Sequence, residues 1–99
     1  MVMAVLHEVL VAYDVENNKR RKALFEALKD VGLVPVQKSV FWGHITLAEE
    51  KYVVRLFSDL EKGADKAFLV RLNLSQAMAE RSFGYRLSDF GQPTTFNVL

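Results

Sequence analysis

An α+β fold in the order β-α-β-β-α-β is predicted for this 99-residue chain by three features of its sequence. The first is an apolar, β-branched run from Val9 to Tyr13, followed shortly by an amphipathic segment of helix length. The second is a pair of short β-rich runs between Leu33 and Ile45, punctuated by Pro35 and Gly43. The third is another amphipathic segment that opens at Thr46 and closes at Gly63, just ahead of an apolar run from Ala67 to Leu74. Two helices among four strands, the middle two strands adjacent, make the split βαβ or ferredoxin-like arrangement.

Composition agrees with a small globular domain. The chain is 51% hydrophobic, which is ample for a core and too high for a disordered segment. A single domain over 1–99 is expected, with its core in 9–74; a domain this small is marginal alone, and oligomerisation is a common remedy. The net charge of +1 excludes a general polyanion binder, so basic residues matter only where they cluster. The absence of cysteine excludes disulfides and thiolate metal sites. Met1 to Leu6 resembles the opening of a signal peptide, but it lacks a basic start and is interrupted at His7-Glu8. No apolar run approaches the roughly 18 residues of a spanning helix, and a soluble, cytoplasmic protein is expected.

In the first strand, alternation sets Val9, Val11 and Tyr13 on one face and Leu10, Ala12 and Asp14 on the other. Asp14 falls where the chain leaves the sheet. Asn17 or Asn18 can cap a helix from Lys19 to Val31, with Gly32 as its stop. Leu24, Leu28 and Val31, flanked by Ala23 and Ala27, form its apolar stripe. Leu33 to Ile45 holds two short strands or one kinked strand, with Pro35 at an edge and Gly43 at a bend or bulge. Thr46 and Glu49 match a capping box for the second helix, which carries Val53, Leu56, Phe57 and Leu60 on one face.

The C-terminal quarter is less regular. Ser75 to Ala79 suits a single helical turn, Ser82 to Leu87 a short fifth strand, and Thr94 to Leu99 a further strand without a partner of its own. Two helices cover one face of the sheet, yet the first and last long strands are apolar at both parities. The simplest way to bury the second face is a homodimer packed sheet to sheet, with the C-terminal strand in or across the interface.

The stretch with most chemistry is Val11 to Lys22. A lone carboxylate, Asp14, ends the strand, and four cations, Lys19, Arg20, Arg21 and Lys22, open the helix. Hard oxygen donors suit a divalent ion, and Arg and Lys suit phosphate. Cations in a first helical turn oppose the helix dipole, an inconsistency of the kind that often marks function. The plain alternatives are a capping or turn role for Asp14 and a solvated face for the cations. A single carboxylate per chain is a sparse metal site, so a pair shared across a dimer is more reasonable for magnesium, which keeps several waters. Arg20 and Arg21 are the strongest phosphate candidates because guanidinium binds phosphate bidentately.

Together, Val11-Ala12-Tyr13-Asp14-Val15, Asn18-Lys19-Arg20-Arg21, Gly32-Leu33 and Val36-Gln37-Lys38-Ser39-Val40-Phe41-Trp42-Gly43 resemble the CRISPR-associated protein two family, the small dimeric partner of the CRISPR integrase. The resemblance runs over roughly residues 9–74 and fades after Leu74. It implies a ferredoxin-like homodimer in which two strand-one aspartates, here Asp14, face each other and hold magnesium, with manganese as the alternative ion. It also implies a metal-dependent endonuclease acting on single-stranded RNA or double-stranded DNA, and an architectural role in which the dimer grips the prespacer duplex and bridges the integrase. Under this reading Asp14 is the catalytic and metal residue, and Lys19, Arg20, Arg21, Lys22 and Lys38 contact nucleic acid. Tyr13, Ser39 and Phe41 lie near the site.

Several of these residues have simpler readings. Lys38 on a strand edge guards against edge pairing, Ser39 is a strand hydroxyl, Phe41 a core aromatic and Tyr13 an interface residue. Trp42 caps the hairpin or binds a partner, and His7 and His44 lack metal-ligand spacing. Beside Asp14 the sequence offers no evident His or Lys base. The other function classes are a non-catalytic RNA- or ligand-binding module and a toxin-type endoribonuclease of the same fold. The strands lack the interleaved aromatics of an RNA-recognition motif, and a small-ligand module has no use for the basic cluster.

Overall fold

A computed structural model describes residues 5–74 and 81–86. Its elements are β1 (Leu6–Asp14), α1 (Asn18–Val31), β2 (Val34–Gln37), β3 (Val40–Thr46), α2 (Leu47–Leu56) with a following 3-10 turn (Phe57–Asp59), and β4 (Lys66–Arg71). The sheet order is β2-β3-β1-β4, with every neighbouring pair antiparallel. This is the ferredoxin-like order, in which β1 lies between β3 and β4 and each helix crosses over a strand.

The two helices bury one face. Val9, Val11, Tyr13 and Val15 meet Leu24 and Leu28 of α1, Val53 of α2, and Leu33, Phe41 and Ile45. Burying each such side chain contributes about 1.5–3 kcal/mol before the opposing loss of chain entropy. Phe41 is the hub: its ring stacks on Tyr13 at 6.3 Å and meets the edge of Phe25 at 5.2 Å. Phe25 and Val31 complete the stripe on α1, while Ala23 is exposed. Gly43 lies in the regular β1–β3 ladder, not at a bulge. Its lack of a side chain makes room for Leu33, whose Cδ2 would stand 3.0 Å from an added Cβ. The irregularity is in β2 instead, where the register shifts between Pro35 and Gln37, because proline cannot donate to the ladder.

The caps follow local chemistry. The Asn17 side chain accepts from the Arg20 backbone N–H at 2.9 Å, and Gly32, at φ 105°, closes α1 with its N–H on Leu28 and Lys29 carbonyls. Thr46 and Glu49 form the reciprocal capping box. α2 ends at Leu56, short of Gly63, because the chain tightens into the 3-10 turn. Arg71 donates to both Glu50 oxygens, at 2.8 and 3.1 Å, and so ties β4 to the first turn of α2.

No strand forms over 82–86. Gly84 has φ 85°, which interrupts extended backbone. The Tyr85 hydroxyl takes the place of a ladder bond, donating to the Val36 carbonyl and accepting from Gln37 Nε2, both at 2.8 Å. The predicted helical turn at 75–79 and the C-terminal strand at 94–99 lie outside the described residues. Among the described residues, no helix is long and apolar enough to cross a membrane.

Candidate nucleic-acid and metal site

Asp14 ends β1 on the face away from the helices, as the alternation predicts, and is exposed. Its side chain has no hydrogen bond or ion pair among the described residues. The same face carries Val34, Phe68 and Val70, which are 49%, 53% and 37% exposed. The strand registers align Val34, Trp42, Leu10 and Val70 in one row, with Ala12 and Phe68 in the next row toward Asp14. Trp42 within that row is buried, while Val34 and Val70 at its ends and Phe68 in the next row keep apolar surface exposed among the described residues, a feature expected of an interface.

Across the sheet, toward the helices, lies a separate basic cleft. It has a volume of about 340 Å³ and is lined by Tyr13, Asn18, Arg21, Lys22, Phe25 and Lys38. Lys38 and Ser39 form the turn between β2 and β3, not a strand edge. That turn is docked on the end of β1: Tyr13 N–H donates to the Ser39 carbonyl at 3.0 Å, and the Tyr13 hydroxyl donates to the Lys38 carbonyl at 3.4 Å. Burial pushes the Tyr13 hydroxyl above its ordinary pKa, with the Arg21 charge opposing, so it stays protonated near neutral pH. Tyr13 and Phe41 thus act from the core side, supporting the turn that carries Lys38.

The four cations of α1 separate. Lys19 is exposed on the first turn. Arg20 faces away from the cleft and is bound to Asp65, with Nε 2.8 Å from Oδ2 and Nη2 3.3 Å from Oδ1, and lies 3.5 Å from Glu61. The Arg20 hydrogen bond, aided by the Glu61 backbone N–H, holds the Asp65 carboxyl below its ordinary pKa. Arg21 turns back on its own loop, donating to the Val15 and Glu16 carbonyls at 3.0 and 3.2 Å and to Asn18 Oδ1. The mismatch with the helix dipole therefore has a local resolution, since Arg20 is neutralised and Arg21 closes the turn. Among the described residues, Lys22 and Lys38 have no carboxylate partner.

Trp42 neither caps the hairpin nor stands exposed. It is buried, and its Nε1 donates to Glu8 Oε2 at 2.8 Å. His44 stacks edge-on to Trp42 at 5.2 Å and lies 4.0 Å from Glu8, a local polar contact.

Sequence reasoning missed Lys66. It is the register partner of Asp14 across β1 and β4, so a lysine does stand beside the carboxylate. Only its place at the head of an apolar run hinted at a strand end. Among the described residues no group of three or more His, Cys, Asp or Glu gathers into a metal site. At the exit of β1 the donor in place is Asp14. That donor fits magnesium, which is commonly held by one or two carboxylates with water completing the shell, and a second copy would double it.

A family model described as CRISPR associated protein Cas2 matches residues 7–80. A CRISPR-associated endoribonuclease Cas2 of Francisella tularensis subsp. novicida is 42% identical over 83 residues, covering 84% of this chain and 86% of that protein. Among solved structures, Streptococcus pyogenes Cas2 at pH 6.5 is 28% identical with a TM-score of 0.63, covering 78% of this chain and 99% of that one. A hypothetical protein from Thermus thermophilus is 27% identical, also at a TM-score of 0.63, over 70% of this chain and 84% of that one.

Proposed function

Because the chain belongs to the CRISPR-associated protein Cas2 family, we propose that it serves spacer acquisition as a dimer that holds nucleic acid and docks the CRISPR integrase. A magnesium-dependent phosphodiesterase activity at Asp14 accompanies that role. The observation that carries this reading is the position of Asp14: a carboxylate without a partner among the described residues, at the exit of an interior strand, on the sheet face opposite α1 and α2 where Phe68 and Val70 are partly exposed. Packing two such faces together brings two copies of Asp14 toward one axis and supplies the second carboxylate that one chain lacks.

Asp14 would hold the metal, and when bound the metal would supply charge stabilisation at a phosphoryl oxygen and a water of lowered pKa. The protein's own part is to hold the Asp14 carboxylate at the end of a hydrogen-bonded strand. Lys22 and Lys38, on the cleft side of the same strand end, would take phosphates of the strand or duplex that passes over it. Arg21 shapes the turn between Asp14 and α1 and adds charge to the cleft wall. The endoribonuclease named for the Francisella relative supports an RNA substrate; the basic cleft suits either nucleic acid.

Size measurement and co-purification test the reading. The purified protein should run as a dimer in light scattering at micromolar concentration, retain the integrase in a pull-down, and bind duplex DNA with strong salt dependence. A monomer that retains no integrase would sink the architectural role.

A further inference from the structure

We propose that Lys66 is a phosphate-contacting residue of the Asp14 site. This rests on the nucleic-acid reading above and extends it to a residue that lies far from Asp14 in the chain. Asp14 and Lys66 are directly opposite in the antiparallel β1–β4 pair. Residues so placed carry Cβ atoms about 4.5–5.5 Å apart and project from the same face. The next pairs along, Ala12 with Phe68 and Leu10 with Val70, show that this is the face away from the helices. Asp14 and Lys66 border one shallow depression with Ala12, Tyr13, Ala67 and Phe68.

Opposite charges in that register ordinarily pair. Here they do not: neither side chain has an ion-pair or hydrogen-bond partner among the described residues. Both are exposed in the single chain, at the end of the sheet face rather than in its middle rows. The backbone that carries Lys66 is fixed by the preceding residue, because the Asp65 carboxylate is bound by Arg20 and by the Glu61 N–H. A carboxylate alone repels a phosphodiester. A carboxylate that holds a divalent ion, with an ammonium about one strand spacing away, offers a phosphate two positive contacts of different kinds. Lysine suits this as a compact point charge on a flexible stem.

The test is nucleic-acid binding by fluorescence anisotropy in magnesium across a salt series, with single-stranded RNA and duplex DNA as separate probes. Lys66→Gln, Lys66→Arg and Asp14→Asn are compared with the unaltered dimer. Lys66→Gln should weaken binding and reduce the magnitude of the log–log salt slope by roughly 0.7 on single strands or 0.9 on duplex, and Lys66→Arg should restore the slope. The probe that shows the change identifies which nucleic acid reaches the site. An unchanged slope in Lys66→Gln, with the unaltered protein binding normally, overturns the assignment and leaves the nucleic-acid reading intact. Failure of the unaltered protein to bind either probe overturns both. A smaller dimer fraction for Lys66→Gln, with normal affinity once concentration restores the dimer, places Lys66 in the subunit contact and also overturns the assignment.

Discussion

Asp65 accepts hydrogen bonds from Arg20 Nε at 2.8 Å and from the Glu61 backbone N–H at 2.9 Å, so one carboxylate joins the first turn of α1 to the loop that enters β4. It clamps both chain segments that flank the Asp14–Lys66 strand end. Arg20 is therefore engaged by carboxylates, unlike Lys22 and Lys38, which have no carboxylate partner among the described residues.

Acid sensitivity follows from the clamp. Asp65 is held below its ordinary pKa, chiefly by the Arg20 hydrogen bond. A depressed folded value means that the contribution is complete above the unfolded value of about 3.9 and is lost as pH falls through the folded one. Asp65→Asn should therefore lower the thermal midpoint near neutral pH. The gap from the unaltered protein should close below about pH 4, as read by circular dichroism melts across a pH series. A gap constant with pH would show that the ionised carboxylate is not what stabilises the corner.

Binding should depend on the cations that have no internal partner. Replacing Lys22 and Lys38 together with alanine should reduce the magnitude of the salt slope for duplex DNA by about 1.8. Arg20→Ala should leave the slope near its original value while lowering stability. The reverse result would place the phosphate path on the Arg20 side of α1.

Asp14→Asn should abolish magnesium-dependent cleavage while leaving the dimer and its melting temperature unchanged, since its side chain has no hydrogen bond or ion pair among the described residues. Gel assays with magnesium or manganese, beside light scattering, read the two properties separately. Cleavage equal to that of the unaltered protein would trace the activity to a contaminant or another residue.

The open sheet face should hold the dimer together. Phe68 is 53% exposed in the row next to Asp14, and a charge there would be desolvated on association. Phe68→Glu should shift the protein to monomer in sedimentation velocity without unfolding it. A persistent dimer would put the interface elsewhere.

Phe41 is fully buried between Tyr13 and Phe25. Phe41→Ala should cost about 3–5 kcal/mol in denaturant unfolding. It should also loosen the Lys38–Ser39 turn, which rests on Tyr13. A loss below about 1 kcal/mol would show that the ring is not a core anchor.

By itself the sequence determined what is local. Alternation in Val9 to Tyr13 set the buried and open faces of β1, the Asn17, Gly32 and Thr46 signals bounded the helices, and the element order implied the topology. These depend on near neighbours along the chain, and near neighbours are what sequence patterns encode. The position of Asp14 at a strand exit was legible for the same reason. Only the tertiary structure decided which charges stand together. Strand register set Lys66 opposite Asp14; a loop remote in sequence brought Asp65 to Arg20, which parted it from Lys22; and the hairpin folded Lys38 over Tyr13. Such pairings depend on how strands align and loops return, and a one-residue slip would change each of them while leaving every local pattern intact.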